Sequence, residues 1–129
     1  MNRLALLVLS TGVALASSGC IITTTTPSNG TFELDWTIAS GTDFSSCTAT
    51  KSANISFTIS QGGKSIGTYT STCSNFATTV DLAPGTYSYG AAMVDASGTA
   101  RTTTASNTFT IYSNQRTIVP VDFPLSSFY

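Results

Sequence analysis

Few side chains in this protein are equipped for catalysis. The 129 residues include no histidine, six acidic side chains, five basic ones and three cysteines. Without histidine neither a Ser-His-Asp nor a Cys-His arrangement can be assembled, and the commonest zinc ligand is missing. The acids Glu33, Asp35, Asp43, Asp81, Asp95 and Asp122 are spread along the chain. Only Glu33 and Asp35 are spaced to act together, because residues two apart in an extended segment project from one face. A glycosidase needs two carboxyls about 5–9.5 Å apart in a cleft; the competing reading is a solvated strand face. Asp95 and Asp122 lack the dense run of oxygen ligands of a calcium loop. Cys47 and Cys73 have no CxxC neighbour, which argues against a metal knuckle. The residue types thus call for no metal and no cofactor, and give little ground for an enzyme.

The remaining cysteine, Cys20, has a different setting. Asn2 and Arg3 make a short positive start, Leu4–Leu9 and Val13–Ala16 an apolar run, and Ser17, Ser18 and Gly19 a small-residue exit. These are the parts of a secretory signal, and the run is shorter than the roughly 20 residues of a spanning helix. A helical signal peptide is therefore expected over residues 1–19. The exit Leu15-Ala16-Ser17-Ser18-Gly19-Cys20 resembles the lipobox of bacterial lipoproteins, in which a dedicated peptidase cuts before a cysteine that carries lipid. Ser18 and Gly19 match the small positions of that motif; Ser17 departs from it, standing where an aliphatic residue is common.

The resemblance implies that Cys20 is lipidated and opens the mature chain, so that the membrane is its first partner. It also implies an outer-membrane address, because Ile21 follows where an aspartate tends to retain such proteins at the inner membrane. An odd cysteine in an exported chain needs an explanation. With Cys20 lipidated, Cys47 and Cys73 remain as a pair for a disulfide in an oxidising compartment; the alternative is two buried free thiols.

From Cys20 to Tyr129 the chain has about 110 residues, enough for one core. Without Arg3 it holds four basic and six acidic side chains, a net charge of about −2 that recommends no nucleic acid. Residues 20–30 read as a Thr/Ser/Pro tether, with an edge strand through Thr23–Thr26 as the alternative.

Beyond it, residues 31–129 read as one domain of strands. Phe32, Leu34, Trp36 and Ile38 alternate with Glu33, Asp35 and Thr37, the pattern of a half-buried strand. It places Trp36 in the core and not on the surface as a sugar-stacking platform. Ser40–Lys51 reads as a loop. Strands are expected at Ala53–Ile59, at about Ser65–Thr70 as an edge, at Phe76–Leu82, at Thr86–Asp95, at Thr99–Tyr112 with a bulge, and at Thr117–Phe123. Pro120 marks the last as an edge. Gln61-Gly62-Gly63-Lys64, Ala83-Pro84-Gly85-Thr86 and Asp95-Ala96-Ser97-Gly98 read as a hairpin turn, a type II turn and a type I turn.

Seven strands with no further helix give an all-β, antiparallel β-sandwich. Leu82-Ala83-Pro84-Gly85-Thr86-Tyr87 resembles the strand entry of transthyretin-like and immunoglobulin-like sandwiches, which implies architecture and not activity. The expected role is a lipid-anchored binding or structural module for a protein or glycan partner. The competing one is an envelope enzyme or enzyme inhibitor. An exposed aromatic patch including Tyr69, Tyr112 or Tyr129 favours binding, and a cleft with converging carboxylates favours catalysis.

Overall fold

Every second residue of β1 (Gly30–Ile38) is buried, and Phe32, Leu34, Trp36 and Ile38 enter the core at 1% exposure or less. The same alternation builds β2 (Asn54–Gln61) with Ile55, Phe57 and Ile59 inward, and β5 (Gly85–Val94) with Tyr87, Tyr89, Ala91 and Met93 inward. The computed structural model describes residues 27–129. The expected signal peptide, Cys20 and the Thr23–Thr26 stretch lie outside the described residues.

Four more strands complete two facing sheets: β3 (Lys64–Thr72), β4 (Ala77–Leu82), β6 (Ala105–Ile111) and β7 (Arg116–Phe123). One sheet has the order β4-β1-β7, the other β3-β2-β5-β6. The described residues form an all-β sandwich of seven strands, with β3 and β7 at sheet edges as the sequence predicts. Phe32 bridges the layers, its ring 4.3 Å from that of Phe109 and 6.1 Å from that of Phe57.

One strand pair corrects the antiparallel expectation. β7 runs parallel to β1, from Thr31 opposite Arg116 to Ile38 opposite Phe123. The cause is the crossing of the chain from β6 into the other sheet. It enters β7 at the end where β1 also begins, so both strands run the same way. A parallel pair cannot be closed by a tight turn, and here the intervening domain makes the connection.

Local chemistry explains three further differences. The expected Ser40–Lys51 loop contains a helix, α1 (Phe44–Ala49), started by Asp43, whose carboxylate accepts the Ser45 amide at 2.9 Å. Six residues are too few to hold a helix alone, and its buried residue, Cys47, is bonded into the core. The strand expected from Thr99 starts at Ala105, because Thr102 is buried and its Oγ1 accepts the Met93 amide at 3.0 Å where a ladder partner would stand. Gly85 has φ +156°, not the roughly +80° of a type II turn. The bend before it is tied by Tyr87, whose hydroxyl donates to the Ala83 carbonyl at 2.6 Å. The hairpin at Gly62-Gly63 has φ of 59° and 78°, the paired positive values of a two-residue turn.

These connections define two ends of the sandwich. At one lie Pro27–Asn29, the Gln61–Lys64 hairpin, Ala83–Pro84 and the Tyr112–Gln115 turn. At the other lie α1, the 3-10 turn Cys73–Asn75, the Asp95–Gly98 turn and the C-terminal segment.

Candidate functional site

Cys47 and Cys73 form a disulfide, with Cα atoms 6.1 Å apart. It ties α1 to the 3-10 turn that leads from β3 into β4. Trp36 joins the same cluster: it is fully buried, its indole N–H donates to the Cys73 carbonyl at 2.9 Å, and its amide donates to the Phe76 carbonyl at 3.0 Å. Phe76 makes this contact from a left-handed backbone, φ 54°. Bridge, indole and turn form one unit where the chain passes between the sheets. Closing a loop across a sequence separation of 26 removes unfolded-state entropy worth about 3.5 kcal/mol in the chain-entropy model.

The point where the chain enters the domain is equally fixed. Ser113 Oγ donates to the Ser28 carbonyl at 2.7 Å, the Asn114 amide to the Asn29 carbonyl at 3.1 Å, and the Thr31 amide to the Gln115 carbonyl at 2.8 Å. Gly30 lies against this turn so closely that a Cβ would stand 2.2 Å from the Tyr112 carbonyl oxygen. Only glycine fits there.

The carboxylates fall into two groups. Asp43 and Asp95 cap local structure. Asp43 is held below the ordinary carboxylate range by the Ser45 amide. Asp95 is held below it by the Ser97 hydroxyl at 2.6 Å and then by the Thr99 amide at 3.0 Å. The other four, Glu33, Asp35, Asp81 and Asp122, stand on the outer face of the three-stranded sheet. Glu33 Oε2 is 2.9 Å from the Arg116 guanidinium in an ion pair, Asp81 accepts from Thr31 at 3.2 Å, and Asp122 accepts from Thr37 at 2.6 Å and from the Ser40 amide at 2.8 Å. Asp35 keeps one buried oxygen with no hydrogen-bond partner. Glu33 and Asp35 do share a face, as their spacing predicts.

Among the described residues, two of the surface depressions stand out, and no carboxylate lines either. One of about 430 Å³ opens on the outer face of the four-stranded sheet, among Thr58, Ser60, Ser88, Gly90, Ser106 and Thr108. The other, about 220 Å³, lies over the bridge beside Phe44, Thr48, Thr72 and Ser74. Among the described residues no group of three or more His, Cys, Asp or Glu side chains converges to hold a metal ion.

The aromatic residues divide in an unexpected way. Tyr69 is half-buried and stacked on Phe57 at 5.3 Å, so it extends the core. Tyr112 and Tyr129 are exposed, at 57% and 66%, but at opposite ends of the sandwich, so no single patch joins the three. Phe44 and Leu125 are exposed at the Tyr129 end. Sequence reasoning missed Phe44 because the segment reads as loop; its one signal is Asp43, a capping residue directly before it. No family model matches the chain, and no curated protein matches it either.

Proposed function

We propose that this chain is a lipoprotein of the cell envelope, held at the outer membrane by lipid on Cys20, whose sandwich acts as a binding or structural module. The observation that carries this reading is the bridge. Cys47 and Cys73 are bonded to each other, so Cys20 is the remaining cysteine, and it directly follows a signal-like leader with a lipobox-like exit. The layout of the domain supports the second half. The chain enters at the Tyr112–Gln115 end, while the exposed Phe44, Leu125 and Tyr129 belong to the opposite end, turned away from an anchor. Exposed apolar side chains at such an end suit contact with a partner.

Fatty-acid labelling followed by mass spectrometry of the mature N-terminus tests the anchor. A chain starting at an acylated Cys20 is expected, and Cys20→Ala releases the protein from the membrane fraction with its melting temperature unchanged. An unacylated chain starting elsewhere sinks the reading.

A further inference from the structure

We propose that the end of the sandwich where the chain enters rests on the lipid surface, with Tyr112 at the headgroup level. The inference rests on the anchor reading above and adds an orientation to it. From Cys20 to Ser28, the first of the described residues fixed to the domain by a hydrogen bond, there are eight residue steps, which extend to at most about 29 Å. The nine residues of β1 give the sandwich a length of about 30 Å along its strands. Turned over, the domain would hold Ser28 a full strand length from the bilayer, at the limit of the tether. The short tether therefore keeps the entry end close to the surface, where a linker of this kind sets an effective concentration in the millimolar range. At such a concentration a contact of a few side chains is populated.

The turns at that end suit lipid headgroups. Tyr112 is 57% exposed and its hydroxyl has no partner among the described residues; an amphipathic ring of this kind is favoured at a membrane interface. The three turns, Gln61–Lys64, Ala83–Pro84 and Tyr112–Gln115, contain one charged side chain, the exposed Lys64, and a cation is attracted to anionic headgroups. No carboxylate stands on these turns to oppose it.

The test uses the full chain as processed by an expressing bacterial cell, in vesicles of phosphatidylcholine with phosphatidylglycerol whose acyl chains are brominated, a short-range quencher of indole emission. Trp36, fully buried, gives the unquenched background. The indole of Tyr112→Trp is expected to lose about half its emission, and that of Tyr129→Trp, at the far end, to lose none. Lys64→Gln should lower the fraction in contact by about fivefold at low salt. Hydrogen exchange provides a second readout that needs no new indole, with protection expected at residues 61–64 and 112–115 in vesicles and not in detergent. Equal quenching at both ends, or unprotected turns, in protein that co-sediments with the vesicles overturns the orientation alone. Failure to co-sediment overturns the anchor and the orientation together.

Discussion

The two sheets share one core but differ on their outer faces. Strands β2, β3, β5 and β6 contain a single Asp, Glu, Lys or Arg, Lys64 at the hairpin, and their outer positions are mostly Ser and Thr. Strands β1, β4 and β7 hold Glu33, Asp35, Asp81, Arg116 and Asp122 on the outer face. Most of those charged groups are engaged within the fold. Asp122 ties β7 both to β1 and to the turn at Ala39-Ser40, where two non-glycine residues hold φ of 50° and 63°. On the neutral sheet the hydroxyls of Ser60, Ser88 and Ser106 have no protein partner among the described residues. Charge on one face serves the fold, whereas several hydroxyls of the other are left to solvent and the Thr58–Thr68 pair, at 2.9 Å, joins β2 to β3.

Removing what the two sheets share should have the largest effect. Trp36→Ala deletes a buried ring and leaves the Cys73 carbonyl without its donor, and is expected to cost about 3–5 kcal/mol. Chemical denaturation measures it. A loss under about 1 kcal/mol would mean that the indole packs too loosely to join the layers.

A sharper test compares one side chain from each face. Asp122→Ala should cost about 1–2 kcal/mol, since a turn amide and the Thr37 hydroxyl lose a charged acceptor. Ser88→Ala should stay within about 0.5 kcal/mol, as expected of a surface position without such a role. Equal costs in parallel melts would break the contrast between the faces.

Much of this contrast is legible in the sequence, and the parts that are not have identifiable causes. Alternation in β1, β2 and β5 is clear because each strand buries one face, so period two reports packing directly. The same pattern says nothing about direction, and the parallel course of β7 is therefore hidden. The helix α1 has no apolar period to betray it, because it depends on the Asp43 cap and on the Cys47 bond. The late start of β6 turns on Thr102, a threonine that reads like its neighbours until it is found buried. Of the predicted sites, the Cys47–Cys73 bridge is seen and Cys20 lies outside the described residues. The role of Asp122 is illegible, because the Thr37 and Ser40 it joins are 85 and 82 positions away.

The smallest effect concerns acid. Asp43 and Asp95, both held below the ordinary carboxylate range, stabilise the fold fully above that range. Their contribution is lost as the pH falls through the lowered folded values. Neither lies on a sheet face, so their titration should leave the contrast between faces intact. Replacing both with Asn keeps a capping oxygen but removes the charge. The double variant should therefore show a slightly shallower fall in melting temperature than the wild type between pH 7 and about pH 3. An identical fall would show that the two caps carry no share of the acid response.

The parallel course of β7 beside β1 has a mechanical consequence. The first and last strands of the described residues are neighbours across eight facing pairs, β1 beginning at the Tyr112–Gln115 end and β7 finishing at the other. Tension applied between Pro27 and Tyr129 would slide these strands lengthwise past each other. In that geometry the ladder bonds bear the load together, whereas a hairpin pulled open from its free end yields one bond at a time. Resistance to such tension is set by the barrier to rupture and not by equilibrium stability. Pulled from these two ends, the described residues thus meet the force in shear between β1 and β7.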